Sequence, residues 1–424
     1  MEILDKILSK NNLNQAYLQV YRNKGAGGAD GVTVEELKSH LREYGDEILH
    51  KILTRTYQPQ PALRVEIPKD NGKMRQLGIP TVVDRVIQQA ISQVLSPIFE
   101  KQFSETSYGF RPQRSCAMAI RKSMDYMNAG ESWLVDIDLE RFFDTVNHDK
   151  LMRLISNTIS DGDVISLIRK YLVSGVMVSG KYEDTEVGTP QGGNLSPLLS
   201  NIMLNELDKE LETRGLHFVR YADDCLIFVK SEKSAQRVLK SISRFIEEKL
   251  GLKVNAEKSK ITRPTQTKYL GYGFYYSSSG KEYRPRPHKD SVKKFQRKLK
   301  ALTKRSWSIS LDERIRQLQY VIRGWVNYFK LGDMMKVLKR LDEKLRSRMR
   351  AIIWKQWKKD MTRIRNLKKL GIPEEEAKGL TYCRKGYRYI AQSKVVQKAL
   401  SNKRLEQRGI PFALSYYLKV RTVI

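Results

Sequence analysis

The chain has 424 residues, 40% of them hydrophobic, and a formal net charge of +31. That length exceeds what one simple core organises and predicts two or three domains. No apolar run approaches the ~18 residues of a membrane span, the polar N-terminus lacks a signal-peptide layout, and the scattered Cys116, Cys225 and Cys383 give neither a disulfide framework nor zinc spacing; the expectation is a cytoplasmic protein without a membrane partner.

The opening third reads as helix mixed with hairpin. Val65–Lys69 and Lys73–Ile79 flank Asp70-Asn71-Gly72, and Asn-Gly supports the positive φ of a tight hairpin turn. Apolar residues at Val83, Val86, Ile87, Ala90, Ile91 and Val94 predict a helix from Val82 to Leu95, with Pro97 just beyond its end. A strand over 133–138 comes next. Two helices over about 149–173, a hairpin near 176–187 and a helix opening at Pro197 follow. Apolar runs 217–220 and 225–229 then form a hairpin around Tyr221-Ala222-Asp223-Asp224. A helix over 234–250 ends at Gly251, a plausible left-handed cap. Strands and helices in this order predict an α+β sheet with helices on one face.

The character of the chain changes near Pro285-Arg286-Pro287. Segments 289–303, 311–331 and 334–359 have apolar residues at three- and four-residue steps, which predicts helices. Gly371-Ile372-Pro373 interrupts them, and a basic segment 374–424 follows. Lys and Arg exceed Asp and Glu by 4 over residues 1–284, leaving 27 (31 − 4) for 285–424. So uneven a charge, interleaved with Trp307, Trp325, Tyr328, Trp354 and Trp357, predicts a polyanionic partner, nucleic acid above all.

Two adjacent carboxylates at a hairpin tip are ordinary as a turn, since Asp bonds nearby backbone N–H groups. A second acidic strand end, Asp136-Ile137-Asp138, lies upstream. Carboxylates at the ends of neighbouring strands suit a hard divalent cation such as Mg²⁺, which takes oxygen ligands and substrate phosphates. Asp136 and Asp138 alternate onto one face of a strand, so spacing alone does not choose between them. The glycine-rich stretch Lys24–Gly31 lacks the Gly-Lys-Ser/Thr of a P-loop, which argues against NTPase chemistry.

The pair Asp138 and Tyr221-Ala222-Asp223-Asp224 resembles the two palm motifs of a reverse transcriptase. Ser107-Tyr108-Gly109-Phe110-Arg111-Pro112, Phe142-Phe143-Asp144-Thr145-Val146-Asn147-His148 and Gly188-Thr189-Pro190-Gln191-Gly192-Gly193 are similar to those of bacterial group II intron reverse transcriptases, or maturases. Ile322–Phe329 resembles the thumb motif of the same family. The resemblance runs from about Asn11 to at least Trp357.

This resemblance implies a right-hand polymerase. Residues 1–284 would form α+β fingers and palm with an antiparallel sheet and an N-terminal extension. Residues 285–370 would form an all-α thumb (domain X), and 371–424 a small basic DNA-binding domain. Asp138, Asp223 and Asp224 would hold two Mg²⁺ ions, with Mn²⁺ as a substitute; two metals about 3.5–4 Å apart stabilise both the attacking and the leaving oxygen. The family match selects Asp138 over Asp136, because it lies five residues before Phe143; Asp136 would be a structural ion pair. Phe143 would lie under the incoming sugar and exclude a 2′-hydroxyl. Lys69 and Arg75 would hold the triphosphate, Gln191 would line the nucleotide pocket, and Lys253 would protonate the leaving pyrophosphate. Leu270 and Gly271 resemble a primer grip, and Arg323 and Trp325 would meet the template–primer.

The implied partners are group II intron RNA, an RNA template with a DNA or RNA primer, dNTPs and target DNA. The implied activity is RNA-directed DNA synthesis joined to assistance in splicing and, after reverse splicing, retrohoming. Cysteine pairs of an HNH-type nuclease do not occur past Cys225, which points to the endonuclease-lacking (group IIC-like) type. The rivals are a reverse transcriptase adopted for another task and a splicing cofactor without polymerase activity; intact Asp138, Asp223 and Asp224 argue against the second.

Overall fold

The computed structural model describes residues 2–421 apart from 69–71, 73, 186 and 189–191. Two compact units divide at Arg263/Pro264, upstream of the change in composition near Pro285.

Within residues 1–263 the strands are β1 (Ala62–Pro68), β2 (Met74–Ile79), β3 (Trp133–Ile137), β4 (Val176–Val178), β5 (Lys181–Glu183), β6 (His217–Tyr221), β7 (Asp224–Val229) and β8 (Lys260–Thr262). They form two four-stranded sheets, ordered β2-β1-β4-β5 and β6-β7-β3-β8. The second sheet is antiparallel throughout. In the first, β1 pairs antiparallel with β2 but parallel with β4, one departure from the expected antiparallel pattern.

The core gathers around the helix Val82–Glu100, which buries Val82, Val86, Ile87, Ala90, Ile91, Leu95 and Phe99. It continues through Pro97, where a stop just before Pro97 was expected. Proline forfeits one helical hydrogen bond and crowds the preceding turn. Leu95 and Phe99, almost fully buried on either side, gain enough from packing to offset the forfeited bond. Asp84 in the first turn is also buried. It accepts hydrogen bonds from Tyr57 Oη (2.7 Å), Thr81 Oγ1 (2.8 Å), Gln60 N (3.1 Å) and Tyr171 Oη (3.2 Å). Burial raises its pKa while these donors pull it down; with four donors the buried carboxyl is not left unsatisfied. The helix Ser196–Thr213 starts with Pro197 in its first turn, where a missing N–H costs nothing.

The other expected elements appear with shifted ends. Helices span His148–Ser156 and Gly162–Leu172, and Gly251 sits at φ 68° after the helical stretch 232–250. Among the described residues no helix is long and apolar enough to cross a membrane.

Residues 264–424 open with β9 (Lys268–Tyr269), β10 (Tyr272–Ser277) and β11 (Glu282–Pro287) in one antiparallel sheet. Helices Lys289–Leu302, Leu311–Phe329 and Met335–Gln356 follow, close to the ranges their periodicity predicts. Trp325 stacks on Phe295 with ring centroids 4.4 Å apart, and Phe329 packs on Tyr272. Among the described residues, six short helices complete the unit. Buried Asp342 accepts Ala413 N and Leu414 N, both at 2.9 Å, and so anchors the start of the helix Ala413–Val420.

Candidate active site

Register brings the three expected carboxylates to one end of the β6-β7-β3-β8 sheet. Ile137, the last residue of β3, lies opposite Cys225 on antiparallel β7. Asp138 therefore emerges beside the start of β7, where Asp224 stands. Tyr221 pairs with Asp224, so Ala222 and Asp223 alone make the turn. Ala222 has φ 57°, a left-handed conformation that costs a residue with a Cβ roughly 1–2 kcal/mol.

The side chains that hold this turn were not among those singled out by sequence. Arg220 is completely buried, and its Nη1 donates to the carbonyl of Ala222 (2.9 Å) and to Asn201 Oδ1 (3.0 Å). Its Nε and Nη2 meet Asp208 Oδ1 (2.7 Å) and Oδ2 (2.5 Å), a two-pronged pair of the strong kind. The backbone of the Ser107–Pro112 motif lies along the outer edge of β6. Arg220 N donates to Thr106 O (2.9 Å), and Tyr108 N to Arg220 O (2.8 Å). Asn201 Nδ2 donates to Gly109 O (2.9 Å). Gly109 presses so closely on the turn that a Cβ there would lie 2.2 Å from Ala222 N. Arg111 in turn ties the motif to Glu100 and to the carbonyls of Ser104 and Ser107. The motif is thus a backing for the carboxylate turn. A signal was available: an arginine in an otherwise apolar strand and an aspartate on the inward face of an apolar helix each require a buried partner.

The carboxylates repel one another. Asp224 keeps solvent-accessible surface, yet its carboxyl is hemmed in by protein. That desolvation, with the charges of Asp223, Asp136 and Asp138, raises its pKa to about 7. Asp136 is raised to about 6, chiefly by desolvation, and its counter-charge is Lys260 at 4.0 Å, the ion pair expected for it. Asp138 is held by Lys258 Nζ at 2.8 Å, and its backbone N–H donates to Ser259 Oγ (3.1 Å). Among the described residues no three acidic, His or Cys side chains converge as a ready-made metal cage. The donor set nonetheless fits a divalent cation. It is all carboxylate oxygen, as a hard cation requires, and the negative charges of Asp223, Asp136 and Asp138, which add to desolvation in raising the Asp224 pKa, are of the sign a cation would relieve.

Phe142 is buried, and Phe143 meets its ring edge-on at 5.2 Å while staying half-buried. Lys69 and Gln191 lie outside the described residues. Arg75 is exposed on β2 opposite Ile67. Lys253 is exposed and pairs with Glu140 at 3.2 Å; the lysine on a candidate catalytic carboxylate is Lys258. In the second unit, Leu270 (φ 48°) and Gly271 (φ 79°) form the turn between β9 and β10. Tyr328 Oη donates to Leu270 O (2.9 Å) and Ser291 Oγ to Gly271 O (2.8 Å). Arg323 is exposed over the ring of Tyr416, whereas Trp325 is taken up by its stack on Phe295.

Residues 67–274 match the family described as reverse transcriptase (RNA-dependent DNA polymerase), and residues 292–371 match the group II intron, maturase-specific domain. Protein YkfC of Escherichia coli (strain K12) is 37% identical over 279 residues, covering 56% of this chain and 73% of YkfC. Group II intron-encoded protein LtrA of Lactococcus lactis subsp. cremoris is 34% identical over 338 residues, covering 62% of this chain and 55% of LtrA. The chain therefore spans little more than half the length of LtrA. A solved structure, the partial Cas6-RT-Cas1–Cas2 complex, aligns at 24% identity with a TM-score of 0.39, covering 58% of this chain and 43% of that one.

Proposed function

We propose, for a chain that belongs to the group II intron-encoded reverse transcriptases and maturases, that it extends a DNA or RNA primer on an RNA template using dNTPs, and that it binds its intron RNA to assist splicing and retrohoming at a DNA target. The observation that carries this reading is the meeting of Asp138 with the Asp223-Asp224 turn at one end of the antiparallel sheet. Asp138, Asp223 and Asp224 would hold Mg²⁺. When bound, the cations would lower the cost of forming the attacking 3′-oxygen and of releasing pyrophosphate. The protein's own part is to orient. Arg220, Asp208 and Gly109 keep the turn in one conformation before substrate arrives, which is how an active site limits reorganisation during reaction. Template-directed extension with Mg²⁺, lost on chelation, tests the reading.

Phe143 acts in this reading as a steric filter against the 2′-hydroxyl, the group that distinguishes RNA from DNA. Phe143→Ala is expected to admit rNTPs. Single-nucleotide incorporation of paired dNTP and rNTP checks it, and an unchanged preference with activity intact would refute the filter.

Residues 285–370 serve as the thumb and 371–424 as a DNA-binding domain. Within the second unit, a cleft of about 1000 Å³ is lined by Lys300, Lys304, Arg305, Lys344, Arg348 and Arg388, a setting for phosphates. Affinity for RNA or template–primer should fall steeply with salt, with a slope in log K against log salt of about −0.7 per phosphate on single strands and about −0.9 on duplex B-DNA. Six or more contacts predict roughly a thousandfold loss between about 50 and 200 mM salt. Neutralising Lys and Arg within 286–305 should flatten the slope and weaken binding to many sequences alike. A filter-binding titration that found the slope unchanged would contradict the assignment.

A further inference from the structure

The last two residues of the Phe142–His148 motif have no part in the reading above, yet the structure ties them to the nucleotide pocket's glycine-rich segment. Asn147 caps the helix His148–Ser156, its Oδ1 accepting Lys150 N at 2.9 Å. It also forms an isolated antiparallel bridge with Val187. One residue further on, Gly188 N donates to Val146 O (2.8 Å). The ring of His148 is buried, and its Nε2 lies 2.6 Å from Gly188 O. A carbonyl oxygen only accepts, so Nε2 carries the proton and donates. Gly188 is thereby gripped on both its N–H and its C=O by residues 146 and 148.

The grip brings Gly188 hard against the element that carries Phe143. At Gly188 a Cβ would lie 2.8 Å from Phe143 O and 3.0 Å from Asp144 Cα, and its φ is 94°. Only glycine satisfies both the approach and the dihedral. Phe143 belongs to a helix of just four residues, Phe142–Thr145, preceded by Arg141 at φ 48°. So short a helix has little internal hydrogen bonding to fix it; what sets the position of Phe143 is packing, of its ring on Phe142 and the core and of its backbone against Gly188. Gly192 likewise lies close to β2, where a Cβ on it would be 2.5 Å from Gly78 O.

We infer that His148 is a positioning residue for sugar selection: by donating to Gly188 it clamps that glycine onto the backbone of Phe143 and Asp144, and so fixes the aromatic ring that excludes the 2′-hydroxyl. The inference rests on the reading of Phe143 as the filter. A buried histidine serving stability alone would change melting temperature without changing the choice between sugars. The clamp changes that choice.

The experiment is single-nucleotide primer extension by the full chain, comparing dCTP with CTP, together with a melting temperature for each variant. His148→Leu keeps bulk and removes the donor. It should reduce dNTP-over-rNTP discrimination about tenfold, the worth of one hydrogen bond at a selective site, chiefly through KM. His148→Gln, which retains an N–H, should recover most of the discrimination. Gly188→Ala should loosen it as well, independently of whether His148→Leu folds. His148→Leu added to Phe143→Ala should cause no further loss, because both act through one ring. If Phe143→Ala relaxes selection but the His148 and Gly188 variants keep the wild-type ratio, the clamp is refuted while the filter stands. If Phe143→Ala leaves the ratio unchanged, the filter fails and this role of His148 falls with it.

Discussion

Asp223→Ala and Asp138→Ala are each expected to abolish DNA synthesis while leaving RNA affinity near that of the unaltered chain. The loss should reach at least the order of 10²–10³ seen when a preorganised stabiliser of transition-state charge is removed. The two residues come from strands far apart in sequence, and only register brings them together at the sheet end. Neither is an internal support of the fold. Asp138 is partly exposed with its carboxylate paired to Lys258, and Asp223 stands in the two-residue turn. Removing either carboxylate therefore relieves repulsion around Asp224, whose pKa is already raised to about 7, and should cost no stability. RNA binding is expected to persist because the excess positive charge lies beyond residue 284. Primer extension with Mg²⁺ beside filter binding separates the two effects; robust extension by either variant would remove the assignment.

The second large effect concerns Arg220. Arg220→Met should destabilise residues 1–263 by about 3–5 kcal/mol, because it strands the carboxylate of Asp208 in the interior without its partner. Both side chains have zero solvent exposure. Burial pushes the Asp208 carboxyl up, and the guanidinium beside it draws it back. Converting both residues, Arg220→Met with Asp208→Leu, removes the stranded charge, and such replacements are often neutral for stability. Activity should not return with stability in the double variant, since the donor to Ala222 O is still missing and the left-handed turn is no longer pinned. Denaturant unfolding and primer extension on the same three proteins decide it. A double variant recovering both in full would show that Arg220 acts through packing alone.

Much of the site was legible because it depends on local pattern. The apolar runs on both sides of Tyr221-Ala222-Asp223-Asp224 fix a hairpin, and a two-residue turn leaves one place for the carboxylates. The strand ending at Ile137 was legible for the same reason. Its pairing with β7 is non-local and came from resemblance. The support beneath the turn was not read at all. Gly109, Asn201, Asp208 and Arg220 lie on four separate segments, and no periodicity links a glycine that must lack a Cβ to an alanine 113 positions later (222 − 109). The pairing of Lys258 with Asp138 was likewise not legible. Lys253 and Lys258 are both exposed lysines in one short stretch, and only the turn after Val254 sends Lys258 to Asp138. The helix through Pro97 shows packing of Phe99 overriding a local stop signal.

Extension of a DNA primer annealed to an RNA template, by the unaltered full chain with dNTPs and Mg²⁺, tests the central claim most directly. The account predicts template-directed DNA that disappears on chelation and in Asp223→Ala. A chain that binds the template–primer but adds no nucleotide, or adds nucleotides equally well without Asp223, would contradict it.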